Sequence, residues 1–165
     1  MAEKSELVKA ETKAFRLLTL RAHSEKELRA KLTAVHFSGE VVDAVVQKCF
    51  KLGYLNDEAF AKQRARALGV NRLVGDLKIS WDLKEKGVAS DIRTAAIADI
   101  DAELGEQERI RKLIKKRRRG NDAGLADEKQ KARVIRNLMS RGFSLALIMK
   151  TMDEEEKRVY DDDGE

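Results

Sequence analysis

A chain of 165 residues that is 42% hydrophobic has enough apolar material for a core, but only 5% is aromatic and 38% is charged, a balance that suits amphipathic helices and argues against strands. Cys49 is the only cysteine, which excludes an intramolecular disulfide and fits a reducing compartment, and no window approaches the roughly 20 apolar residues of a membrane span. The net charge is +5, yet the last thirteen residues, DEEEKRVYDDDGE, hold eight acids against two bases and leave residues 1–152 with +11; such a basic body points to an anionic partner or to a solvated surface.

The opening MAEKSELVKAE lacks the apolar segment of a secretion signal, so a cytoplasmic protein without membrane contact is expected. Proline is absent, so helix ends have to be written with glycine and with Ser, Asp or Asn caps. A first helix is predicted over about Val8–Ala22, with Phe15 and Leu18 inside. HSEKEL then supplies a capping box, Ser24 with Glu27 three residues on. Leu28 and Leu32 lie four apart on one face of the next helix, and Val41 and Val45 mark another after LTAVHFSGEVV. Gly53 ends that helix, Asn56 caps the following one, and Asp57 and Glu58 sit at its positive end. Ile79 and Leu83 precede the corner LKEKGVASDIR, with Ile92 and Ala96 beyond it. A third set begins near Glu106 with Ile110, Leu113 and Ile114. After the connector GNDAGLADEK, with Asp127 opening the next helix, come Val134 and Leu138, then LMSRGFSLALI with Leu147 and Thr151.

Aligned without gaps from Leu32, Leu83 and Leu138, these stretches place their apolar residues in step: Leu28, Ile79 and Val134 before the corner, Phe37, Val88 and Phe143 at it, and Val41, Ile92 and Leu147 after it. Gly87 and Gly142 fall where a left-handed residue closes a helix. Phe143 pins its corner, and Ser144, like Ser38, caps the next helix. His36 replaces the glycine in the first copy, which leaves a differently built corner open there. The expected fold is therefore all-α: three tandem three-helix units, 8–53, 54–104 and 105–152, in an elongated, curved array, followed by an acidic tail at 153–165. An array of this kind offers surface in place of a deep pocket.

Catalytic and metal-binding patterns are scarce. His23 and His36 are thirteen apart and far from Cys49, without zinc-ligand spacing, and the chain has no phosphate loop, GxGxxG or nucleophile elbow. No cofactor, no metal and no enzymatic activity are expected. The sharpest charged feature is RIRKLIKKRRRG, residues 109–120, with eight bases and no acid. On a helix, Arg111, Lys115 and Arg118 fall on one side while Ile110, Leu113 and Ile114 face inward. Lys116, Arg117 and Arg119 extend this ridge, and Lys129, Lys131, Arg133, Arg136 and Arg141 add a second cluster. Either the ridge tracks phosphates or an acidic protein groove, or some of its bases serve the helix dipole. Phe15, Phe37, Phe60 and Phe143 fall at core or corner positions, so aromatic stacking is scarce and any nucleic-acid contact is expected to be mainly electrostatic. Trp81 lies off the Ile79–Leu83 stripe, as an inter-unit packing residue or as an exposed binding aromatic.

Four segments, RAHSEKELRAKL, KLGYLNDEAFA, RLVGDLKISWDLKEKGV and RNLMSRGFSLALI, resemble in order and spacing the landmarks of the bacterial RecX proteins, regulators of the RecA recombinase, over about residues 14–152. The resemblance implies tandem three-helix repeats and a regulator, not an enzyme: a protein that binds the RecA filament on single-stranded DNA and limits its ATPase, recombinase and coprotease activities in DNA repair and the SOS response. A monomer is expected, lying in the filament groove or capping a filament end, with electrostatic contacts to single-stranded or duplex DNA. Charge, not the resemblance, singles out Arg111, Lys115, Lys116, Arg117, Arg118 and Arg119, with Arg133 and Arg141 in support. The alternative is a stand-alone DNA-binding protein of helix-turn-helix-like units, and a weaker one is a scaffold for an unrelated protein.

Overall fold

The computed structural model describes residues 2–118 and 128–162, and every regular element in them is helical. In chain order these are α1 (Ala2–Leu20), α2 (Glu25–Thr33), α3 (Gly39–Lys51), α4 (Asp57–Arg66), a π-helical turn (Ala67–Asn71), α5 (Asp76–Glu85), α6 (Ser90–Glu103), α7 (Glu106–Arg118), α8 (Glu128–Ser140) and α9 (Leu145–Asp162). Asp127, Arg119 and the connector around them lie outside the described residues, as does the side chain of Arg118.

The caps are local chemistry. Ser24 Oγ accepts from Glu27 N at 3.2 Å, Ser38 Oγ from Val41 N at 3.4 Å, Asn56 Oδ1 from Ala59 N at 2.9 Å and Ser144 Oγ from Leu147 N at 3.3 Å. Each satisfies a first-turn N–H that has no partner within its helix. The Glu27 carboxylate does not complete a reciprocal capping box; it receives Arg21 at 3.0 Å and Lys86 at 2.8 Å instead.

Two compact units emerge, Met1–Gln63 with Leu83–Arg93, and Arg64–Asp82 with Thr94–Glu165. In the first, α1 and α2 pack on α3. Leu28, Leu32, Val41, Val45, Val46 and Cys49 are buried there with Ala10 and Ala14, and Phe15, Leu18 and Phe37 close over them. The alanines let α1 approach closely where larger side chains would hold it off. His23 is buried as well, its Nδ1 2.9 Å from Arg21 O and its Nε2 3.1 Å from Lys31 Nζ, and burial lowers its pKa. It is a structural histidine.

The second unit combines an apolar cluster with a buried charge. Ile110, Ile114, Val134, Leu138, Phe143, Ile148 and Met152 form the cluster between α7, α8 and α9. Beside it the Arg109 side chain is wholly buried and donates to Val74 O, Asp76 and Asp101. Gly69 in the π-helical turn leaves room for this: a Cβ there would stand 2.7 Å from Ile100 Cδ1 and 3.3 Å from Arg109 Nη1. Burial raises the pKa of Asp76 although Arg109 pulls it down.

The corners follow the repeat. Gly87 and Gly142 have φ of 78° and 92°, and each is followed by a residue whose N–H reaches back five positions, Val88 to Leu83 O and Phe143 to Leu138 O. Val88 and Phe143 are both buried. The first corner is not differently built in its backbone step: His36 adopts φ of 67°.

The second and third corners each dock on the start of the middle helix of the preceding repeat. In the first unit Ser24 Oγ donates to Lys86 O at 2.7 Å, and a Cβ on Gly87 would lie 2.8 Å from Lys26 Cβ. In the second unit the matching carbonyl, Arg141 O, accepts from Gly75 N at 2.9 Å. A Cβ on Gly142 would come within 2.4 Å of Lys78 Cβ and 2.7 Å of Lys78 N, and one on Gly75 within 2.4 Å of the Gly142 backbone.

The acidic C-terminal stretch does not leave the fold at residue 153, because α9 continues through it to Asp162. Its carboxylates have cationic partners on neighbouring helices: Glu154 and Glu155 pair with Arg111 at 2.7 and 3.2 Å, and Glu156 with Lys131 at 2.8 Å.

Candidate nucleic-acid interface

The basic stretch of α7 divides once it is folded. Ile110 and Ile114 point inward as their spacing requires. Arg109, one position before Ile110, is drawn into the core. Arg111 is held by Glu108, Glu154 and Glu155 and is only 20% exposed. Burial disfavours its charge, but the hydrogen bonds it donates to Glu108 and Glu154 prevail and raise its pKa. It serves to fasten α9 onto α7. Lys115 and Lys116 are exposed, and Arg117 is half-buried.

Lys116 and Arg117 line a cleft of about 380 Å³ with Asn137 and Arg141, floored by Leu113, Ile114, Val134 and Leu138. Arg133 is exposed on α8 one turn before Asn137, on the same helix face. A second cleft, also about 380 Å³, adjoins the first through Asn137 and Arg141 and is lined further by Arg64, Arg72, Lys78, Trp81 and Asp82. Both clefts belong to the second unit. Of the eight bases singled out by charge, Lys116, Arg117 and Arg141 thus meet in one cleft, Arg133 stands beside it, and Arg111 is turned to a structural purpose.

Arg141 is positioned by its own corner. Its carbonyl is held by Gly75 N, and its Nη1 donates to Arg72 O at 3.1 Å. Lys78 Nζ donates to Ser140 O at 3.0 Å. Arg64 forms two bonds of 2.8 Å with Asp82, so the one carboxylate lining the second cleft is already neutralised. Among the described residues no carboxylate pairs with Arg72, Lys78 or Arg141, which leaves an excess of three positive charges. A low-dielectric floor and cations of one sign favour a polyanion.

Trp81 is 60% exposed at the rim. Of the two sequence readings, the exposed aromatic is the one that the structure displays. Arg72 and Lys78 were not singled out in the sequence, because their nearness to Arg141 is tertiary and has no local pattern. The position of Trp81, off the Ile79–Leu83 stripe, was the one signal that could have found this cleft.

The described residues hold no group of His, Cys, Asp and Glu arranged to bind a metal ion, and no described helix is long and apolar enough to cross a membrane.

Comparison with known proteins identifies relatives over most of the chain. Models of the first, second and third three-helix domains of RecX match residues 10–49, 56–97 and 105–152. The regulatory protein RecX of Syntrophotalea carbinolica is 33% identical over 143 residues, which cover 86% of this chain and 93% of that protein. That of Pelodictyon phaeoclathratiforme is 35% identical over 135 residues, 81% of each. The crystal structure of RecX from Lactobacillus salivarius superposes with a TM-score of 0.78 at 19% identity, covering 92% of this chain and 97% of that one, a likeness of fold.

Proposed function

The chain belongs to the RecX family of regulatory proteins, and from that premise we propose that it binds the RecA filament on single-stranded DNA and limits ATP hydrolysis, strand exchange and coprotease activity, in DNA repair and the SOS response in the cytoplasm. The observation that supports this reading is the pair of adjoining basic clefts in the second unit, where Lys116, Arg117 and Arg141 stand together in the first and Arg72, Lys78 and Arg141 in the second. Cations so placed attract phosphate without reading sequence. A regulator of a filament assembled on any single strand needs that kind of contact. The repeats are taken as 8–53, 54–104 and 105–152, and the protein acts by bridging neighbouring filament subunits, not by chemistry of its own.

The test is RecA-catalysed, single-strand-dependent ATP hydrolysis with substoichiometric protein, beside direct DNA binding at two salt concentrations. Strong inhibition that is lost in the triple variant Lys116→Ala, Arg117→Ala, Arg141→Ala is expected. Full inhibition by a folded triple variant would overturn the assignment of the clefts. Tight duplex binding without any effect on RecA would favour a stand-alone DNA-binding protein.

A further inference from the structure

We infer that the second cleft is a stacking site for an unpaired base of single-stranded nucleic acid, with the Trp81 indole as the platform and Arg72, Lys78 and Arg141 as the contacts for the flanking phosphates. This goes beyond the filament reading and stands without it, since the chemistry concerns the nucleic acid alone.

The argument begins with the helix. Lys78 and Trp81 are three apart on α5, and Leu77 and Trp81 four apart, so all three share a face. Leu77 is 64% and Trp81 60% exposed. A buried role would hide the largest side chain in the chain; here it stands at the rim of a cleft.

The second observation is charge. The carboxylate of Asp82, one residue on, accepts from Nε and Nη2 of Arg64, each at 2.8 Å, and does not repel an anion as a free acid would. Arg72 and Lys78 are exposed at the same rim, and Arg141 reaches the cleft from the third corner. An aromatic face ringed by three cations that pair with no carboxylate among the described residues matches the two parts of a nucleotide, one flat and apolar and one anionic. A duplex presents only the phosphates, because its bases already stack on each other.

Third, the geometry is braced. Arg141 O is tied to Gly75 N, Arg141 Nη1 to Arg72 O and Lys78 Nζ to Ser140 O. The turn that carries Arg72, the helix that carries Trp81 and the corner that carries Arg141 are thus fixed to one another within the unit. A site built on such supports loses little freedom on binding.

Trp81 is the only tryptophan in the chain, so its emission reports this cleft directly. The experiment titrates the full-length protein, without RecA, with a twelve-residue oligothymidylate, with the matching duplex and with heparin, a polyanion that has no bases. Saturable quenching by the oligothymidylate and little by heparin or duplex is expected. Binding is then followed by anisotropy of a labelled oligothymidylate. Trp81→Ala should weaken it about tenfold and leave the salt dependence unchanged, whereas Trp81→Phe should retain most of the affinity. Lys78→Ala should instead lower the slope against salt by about one contact. Equal quenching by heparin and oligothymidylate, or an unchanged affinity in a folded Trp81→Ala protein, would overturn the inference. Neither result bears on inhibition of RecA, which is measured separately.

Discussion

At Val35–Phe37 and at Arg141–Phe143 the chain takes the same left-handed step, with φ of 67° at His36 and 92° at Gly142. The surroundings differ. His36 is exposed, whereas the Gly142 Cα faces the backbone of Lys78, with no room for a methyl group. The conformation alone does not demand glycine, because an L-residue can hold it at a cost of about 1–2 kcal/mol. What demands glycine is the preceding repeat. The second corner is intermediate: Gly87 meets the side chain of Lys26, not backbone, and its docking carbonyl is held by a serine hydroxyl in place of a peptide N–H.

Substitution at Gly142 is the most severe way to break this relation. Gly142→Ala combines a positive φ with a contact of 2.7 Å to Lys78 N, and we expect a loss of about 2–4 kcal/mol, read as a lower urea midpoint. Because Arg141 moves with the corner, oligonucleotide affinity should fall as well. A variant as stable as the parent would show that the corner is not locked.

The second corner is distinguished by its ion pairs. Burial pushes the Glu27 carboxyl up, but hydrogen bonds from Arg21 and Lys86 outweigh that and hold its pKa at about 2. A pKa lowered on folding adds stability that is fully present above the ordinary carboxylate value near 4.5 and is lost as pH falls toward 2. Glu27→Gln should cost about 1–2 kcal/mol at neutral pH, given the solvent screening of Arg21. It should also flatten the stability profile between those pH values. Parallel acid profiles of variant and parent would remove Glu27 from the account.

His36→Gly is the mildest change. It relieves the left-handed strain and raises the entropy of the unfolded chain, two effects of similar size. Stability within about 1 kcal/mol of the parent is expected by thermal unfolding. A large loss would mean that the imidazole holds something in place.

These corners also show how far the chain can be read in advance. Ser24, Ser38, Asn56 and Ser144 cap helices through bonds to residues three positions on, and the stripes of Leu28–Leu32, Ile79–Leu83 and Val134–Leu138 are set by helical periodicity. Interactions of that range leave a mark in adjacent letters. Arg111 meets Glu154 from 43 positions away, and Arg109 reaches Asp76 from 33. A run of eight bases therefore reads as one ridge, although folding sends one to the core, another to a clamp and others to a cleft. Arg72 and Lys78 stayed hidden for the same reason, and His36 suggested a different turn because the absence of a docked neighbour is not written locally.

The substitution at residue 36 has a bearing on how such a chain can lengthen. A copy of a repeat added before α1 would have to offer its helix start to the first corner, and there it would meet an imidazole where the later corners present only hydrogen. A repeat placed there would therefore need a smaller residue at position 36 to dock as closely as the later corners do.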